Sequence, residues 1–224
     1  MSQPADASSH IAFLDRYYGR HRRTYDLTRR MFLLGRERML RQLAVQPGER
    51  VLEIGCGTAR NLLWLARREA AATYHGVDAS REMLKTAADR VRSSPADVVL
   101  SQHRAESLTS PDILGVPQGF DVVFFSYSLS MMPDWRGALA AAMSCLCPTG
   151  RLSIVDFWDL AGWPKCISLW TRRRLLMHHV RFDAGVHEWL REAQGPARQL
   201  QIAPVARRWA YLATLRPATP LHTK

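Results

Sequence analysis

The sequence predicts an α/β fold built on a doubly wound, mostly parallel sheet, and three observations lead there. From residue 50 to 157, short apolar runs rich in Val, Ile and Phe alternate with segments of helical periodicity, the pattern of strands joined by right-handed helical crossovers. The stretch VLEIGCGTARN (51–61) passes from a buried strand through a glycine turn into a helix. At 224 residues and 47% hydrophobic content, the chain is long enough for one sizeable core and too short for a large second domain.

Residues 1–9 are small and polar and are expected to be disordered. Residues 10–46 read as two or three helices broken near Gly19 and Gly35, a helical lid. The cofactor-binding core follows over 47–157. QPGER (46–50) is a turn entering the first strand, and Thr58 is the expected N-cap of the first core helix. ATYHGVD (72–78) is the second strand, and SREMLKTAADRVR (80–92) the second helix, capped by Ser80 with Glu82 in its first turn. ADVVLSQHRAES (96–107) holds the third strand and its exit. GFDVVFFSYSLS (119–130) contains the fourth strand, DWRGALAAAMSCL (134–146) a helix, and PTGRLSIVDF (148–157) the fifth strand. Residues 158–224 supply a basic helix, WPKCISLWTRRRLLMHHV (163–180), and RQLQIAPVARRWAYLATLRP (198–217), a closing β-hairpin.

Charge is unevenly spread. The net +11 comes from nine basic against four acidic residues in 1–46, eleven against twelve in 47–156, and eleven against four in 157–224. Basic flanks around a neutral core attract an anionic surface, either nucleic-acid phosphates or acidic lipid headgroups. Four unevenly spaced cysteines argue for reduced thiols, and eight histidines without HExxH or paired CxxC spacing support no metal site. No apolar run reaches the length of a membrane span and the N-terminus lacks a basic-then-apolar order, so a cytoplasmic protein is expected.

In a doubly wound sheet, ligands sit beyond the carboxyl ends of the strands. The first exit carries Glu53, Gly55 and Gly57, the second Asp78, and the third Ala105 and Glu106. An aspartate at the second exit is placed to accept hydrogen bonds from two ribose hydroxyls. The dinucleotide pattern GxGxxG would require glycine where this chain has Arg60, which disfavours NAD.

These residues, E-x-G-x-G, an aspartate ending the second strand and A-E after the third, resemble the class I S-adenosylmethionine-dependent methyltransferases over residues 45–157. The resemblance implies a Rossmann-like methyltransferase sheet and S-adenosylmethionine as cofactor, with S-adenosylhomocysteine as product. It implies that Gly55, Cys56 and Gly57 face the methionine part and that Glu53 meets its ammonium. Asp78 would hold the ribose, Ala79 and Met83 would line the adenine pocket, and Ala105 and Glu106 would reach the adenine edge. Ala59 departs from the family, which often has a third glycine there. Tyr25, paired with Asp26, would approach the methionine end from the N-terminal helix.

The (N/D)PP(Y/F) element of nucleic-acid amino methyltransferases is replaced by Ser126-Tyr127-Ser128-Leu129, so nucleic acid is not expected as a partner. Together with VLEIGCGTARNL, the segments YYGRHRRTYDLTRRMFLLGRERML (17–40), VVFFSYSLSMMPDW (122–135) and IVDFWDLAGWP (154–164) resemble the bacterial betaine-lipid N-methyltransferases, which trimethylate diacylglyceryl-homoserine. That resemblance implies a lipid amine substrate, a peripheral position on the anionic inner face of the membrane, and a possible association with the enzyme making the homoserine lipid. Tyr127 would orient the acceptor nitrogen, and Tyr18 or Tyr25 would hold a methylammonium by cation–π contact. Arg20, Arg22 and Arg29 are candidates for the headgroup carboxylate, Ser126 and Ser130 for the cleft lining, and His178 and His179 for proton acceptors. Arg172, Arg173 and Arg174, among Ile167, Leu169, Trp170, Leu175 and Leu176, are candidates for the membrane surface. The competing readings are a methyltransferase for a soluble or quinone-like small molecule and, behind it, an RNA-binding or RNA-modifying protein that uses the same basic flanks.

Overall fold

The computed structural model describes residues 32–177 and 179–218. Of the expected lid, the described part holds one helix, α1 (Arg36–Gln42). The core alternates β1 (Arg50–Ile54), α2 (Arg60–Ala66), β2 (Thr73–Asp78), α3 (Arg81–Arg92), β3 (Val98–Gln102), β4 (Phe120–Ser126), α4 (Trp135–Ser144) and β5 (Leu146–Phe157). After it come α5 (Lys165–Met177), α6 (Gly185–Glu192), β6 (Arg198–Val205) and β7 (Ala210–Pro217).

The seven strands lie in the order β3-β2-β1-β4-β5-β7-β6. The first five run parallel, while β7 is antiparallel to both β5 and β6. The chain therefore winds outward from β1 to β3, returns to the other side of β1 for β4, and opens a crevice beyond β1 and β4. The expected closing hairpin is β6–β7. Strand alternation divides the core into two layers. Val51, Val122 and Phe124 pack with Met39, Leu62 and Leu175 from α1, α2 and α5. Leu52, Val123 and Ile154 pack with Leu139 of α4 and Leu190 of α6. At the end of the sheet opposite the crevice, the Arg50 guanidinium grips Asp121 at 2.8 and 3.0 Å, and Arg151 joins Glu49 to the Leu43 carbonyl. Those clamps fix β1 and β4 side by side and leave their far ends to the ligand.

Two local expectations are corrected. Thr58 does not cap α2; Ala59 occupies the N-cap position in the left-handed region (φ 57°) without a side-chain cap, and the Thr58 hydroxyl accepts from Arg90 instead. Helix α6 has no counterpart in the sequence reading, although Val186 and Leu190 at helical spacing are both buried. Ser80 does cap α3, its hydroxyl accepting from the Met83 N–H.

Candidate active site

The glycine turn after β1 is fastened to its neighbour before it meets any ligand. The Gly55 and Cys56 N–H groups both donate to the Val77 carbonyl, at 2.8 and 2.9 Å. Gly55 lies at φ 76°, and a Cβ there would fall 2.5 Å from Cβ of Ser128, whose hydroxyl donates to the Ile54 carbonyl. This glycine is required by its protein neighbours. Gly57, at φ 54°, differs: a Cβ there would meet nothing within 4 Å. Its backbone faces open space, as a ligand-facing turn requires. Cys56 is buried, and burial pushes its thiol well above the usual range, so it is an inert wall of the turn.

Glu53 sits beneath the turn, 1% exposed. Its Oε1 accepts from the Asn61 side-chain amide at 2.6 Å, while Oε2 is buried without a partner. Burial pushes its pKa up to about 8; the Asn61 hydrogen bond lowers it and the nearby Asp78 raises it. A buried carboxylate with one oxygen spare is a receptor for a cation. Asn61 was missed as a site residue at the sequence level. Its signal was a polar side chain on the otherwise apolar face of α2.

Asp78, at the end of β2, accepts from the Gly57 N–H through Oδ2 (2.8 Å) and from the Ser80 N–H through Oδ1 (2.9 Å). These bonds fasten the carboxylate to the glycine turn and to the start of α3. Ala79 and buried Met83 flank it on the loop and first turn of α3, and the Ala79 carbonyl accepts from Gln102. Ala105, buried, and Glu106, paired with Arg104, follow β3 in a short 3-10 turn. The three strand exits thus meet at one crevice.

At the fourth exit, Tyr127 is placed differently from expectation. Its ring is packed edge-on to Phe157, its hydroxyl donates to the Leu34 carbonyl, and burial raises its pKa well above the usual value. It ties the chain preceding α1 to β4 and does not present its hydroxyl to an acceptor. Ser126 and Ser130 each carry a hydroxyl oxygen that is buried without a partner, the donor-acceptor capacity expected of a cleft lining. The arginine triplet is split. Arg173 and Arg174 are exposed, whereas Arg172 faces inward over Phe182 and donates to the Asp159 carbonyl. His179 is exposed just beyond α5. Tyr18, Tyr25, Arg20, Arg22, Arg29 and His178 lie outside the described residues.

Residues 52–152 match the family model described as a methyltransferase domain. The core, just under half of the chain, is thus similar to a methyltransferase domain. A methyltransferase of Streptomyces halstedii, GfsG, is 34% identical over 120 residues, 54% of this chain and 42% of that protein. The demethylmenaquinone methyltransferase of Listeria welshimeri is 28% identical over 165 residues, 70% of this chain and 67% of that protein. The chain thus spans less than half of the first relative's length and about two thirds of the second's. A methyltransferase from Aquifex aeolicus has the same fold, with a TM-score of 0.62 at 17% identity, covering 94% of this chain and 98% of that one. The residues present fit S-adenosylmethionine: the unpartnered Oε2 of Glu53 suits an ammonium, the space over Gly57 is open, and the Asp78 carboxylate stands at the second exit.

Proposed function

We propose that the protein transfers methyl groups from S-adenosylmethionine to the amine of a membrane-lipid headgroup, with diacylglyceryl-homoserine the favoured acceptor. The observation that carries this reading is the outward face of α5. Leu169, Trp170, Leu176 and Met177 are each more than half exposed, and exposed Lys165, Arg173 and Arg174 stand among them. Single exposed apolar side chains are ordinary, but four large ones grouped with cations on one helix mark an interaction surface. Its charge suits an anionic bilayer, where apolar side chains enter the headgroup boundary and arginines meet phosphates. No helix among the described residues is long and apolar enough to cross a membrane, so this helix would lie on the surface.

In this reading Glu53 and Asp78 hold the cofactor's ammonium and ribose, and Ala79, Met83, Ala105 and Glu106 surround its adenine. Bound S-adenosylmethionine supplies an electrophilic methyl group, and the protein's work is to place the acceptor nitrogen in line with it while excluding water. Ser126 and Ser130 line that approach. Tyr18 and Tyr25 would close on the nitrogen, and Arg20, Arg22 and Arg29 would meet the headgroup carboxylate. The similarity to demethylmenaquinone methyltransferases over 70% of the chain favours a second reading, a quinone acceptor.

The deciding experiment incubates the protein and S-adenosylmethionine with separate vesicles carrying diacylglyceryl-homoserine, phosphatidylethanolamine or demethylmenaquinone, followed by lipid mass spectrometry. Successive methyl gains on the homoserine lipid are expected. Gain on the quinone alone would replace the amine reading with the quinone one, and gain on none of the three would refute both.

A further inference from the structure

The two edges of the sheet are finished differently. Strand β6, at one edge, begins at Arg198 and holds Pro204, which has no N–H to offer a further strand; charge and proline are devices that keep an edge from pairing with another chain. Strand β3, at the other edge, reads VVLSQ, with no proline and no charge, and no bulge interrupts its register with β2. Leu100 packs with the layer of Leu62 and Tyr74. On the opposite face, His75 and its register partner Val99 line an open groove with Asp97, Val116 and Gln118. Val99 is 46% exposed and Ile113, shortly before Val116, 42%; apart from side chains of α5, these are the exposed large apolar residues among those described.

This edge is complementary to itself. When two copies of β3 lie antiparallel about Leu100, Leu100 stands opposite Leu100, Val99 opposite Ser101 and Val98 opposite Gln102, each pair on one face of the joined sheet. One residue further, Asp97 stands opposite His103, and two-fold symmetry makes that carboxylate–imidazole pair at both ends. Centring the pair on Val99 instead would leave Asp97 opposite Ser101 and lose both. The charge of the chain does not oppose the contact, because the basic surplus lies in the flanks while residues 47–156 hold eleven basic against twelve acidic residues.

We propose that β3 is a homodimerisation edge, through which a second copy of this chain pairs antiparallel and continues the sheet. Val99 supplies the apolar contact, and Asp97 with His103 of the second copy sets the register. The proposal does not depend on the identity of the methyl acceptor. A pairing of two short strands is a small interface, so a reversible dimer that grows with protein concentration is expected. The measurement is sedimentation velocity of the full chain over a concentration series, repeated with substitutions at exposed positions of the edge.

Val99→Lys charges the edge without touching the core, so the melting temperature at low concentration should stay as it is. The dimer dissociation constant should rise more than about ten-fold, the loss of an apolar contact made twice by symmetry. Asp97→Arg sets a cation against His103 and should raise the constant about three-fold; Asp97→Arg combined with His103→Glu reverses the pair and should bring it back. A chain that stays monomeric at every soluble concentration would overturn the proposal, and that result needs no variant to fold. So would a dimer that Val99→Lys leaves intact; if Leu169→Ser with Trp170→Ser dissociates it instead, the interface is the outward face of α5. A dimer that Val99→Lys disrupts but that the reversed pair does not restore would overturn the register centred on Leu100.

Discussion

Asp78 accepts the Gly57 N–H at 2.8 Å, so the residue assigned to the ribose also holds the turn that faces the cofactor. Its second oxygen accepts the Ser80 N–H at the start of α3. In the proposed reading, ribose recognition and local structure therefore share one carboxylate.

Replacing it has two separable effects. Asp78→Ala should reduce S-adenosylhomocysteine affinity at least about 100-fold, as expected when two charge-assisted hydrogen bonds are lost together. It should also cost about 1–3 kcal/mol of stability through the two unpartnered backbone donors. Asp78→Asn, which retains an acceptor for one of them, should recover part of the stability and little of the affinity. Calorimetric titration alongside chemical denaturation separates the two; a variant destabilised yet binding normally would limit Asp78 to a bracing role.

With Glu53 as the partner of the cofactor's ammonium, cofactor binding should depend on pH. Burial raises its pKa to about 8 in the folded protein, so near neutral pH the empty site holds a proton that an arriving ammonium must displace. Affinity for S-adenosylhomocysteine should rise with pH toward 8, with proton release visible as a dependence of binding enthalpy on buffer. The effect on folding has the opposite sign. Between the ordinary glutamate value and about 8, the folded state holds a proton that the unfolded state has lost, so stability falls as pH rises through that window. Glu53→Gln should flatten both profiles. A pH-independent affinity in the unaltered protein would contradict the assignment.

What the sequence made legible was whatever depends on period and spacing. The β1–β5 alternation, the Ser80 cap and the meeting of Glu53, Gly55, Gly57 and Asp78 at one crevice all follow from strand exits in a parallel sheet. The departures are tertiary. Thr58 has the chemistry of an N-cap, yet its hydroxyl is drawn to Arg90 and α2 begins from a left-handed Ala59. Tyr127 lies at a strand exit, but its direction is set by the Leu34 carbonyl and the Phe157 ring, both remote in sequence. Asp156 reads as one polar residue near the end of an apolar strand until the pairing with Tyr211 and the bond from the Ser130 N–H fix its surroundings.

The two glycines of the turn should respond differently to the same added methyl. Gly55→Ala forces a Cβ to within 2.5 Å of Ser128 in addition to the left-handed strain, and should destabilise the fold by more than about 3 kcal/mol. Gly57→Ala meets no protein atom and should cost only about 1–2 kcal/mol of backbone strain. Its methyl would project into the space assigned to the cofactor, so the loss of S-adenosylhomocysteine affinity should exceed the loss of stability. Thermal melts and titrations of the pair test this; a Gly57→Ala protein with unchanged affinity would move the cofactor away from that residue.

The outward face of α5 should separate membrane binding from cofactor binding. Thr171 and Leu175 are buried and hold the helix to the core, whereas Leu169, Trp170, Leu176 and Met177 make their largest surface available to solvent. Replacing Leu169 and Trp170 by serine removes apolar area without touching the buried residues, so melting temperature and S-adenosylhomocysteine affinity should stay as they are. Binding to vesicles containing phosphatidylglycerol should fall more than about ten-fold, because each large side chain transferred to the headgroup boundary contributes on the order of 1 kcal/mol or more. Arg173→Gln with Arg174→Gln should weaken the same binding by about 1 kcal/mol per charge and reduce its salt dependence. Arg172→Gln should instead act on stability, since that guanidinium packs over Phe182. Co-sedimentation at two ionic strengths reads the first two, and thermal melts read the third. Vesicle binding that persists in the Leu169/Trp170 variant would assign this face to another occupant, such as a second copy of the chain, which sedimentation velocity would then reveal.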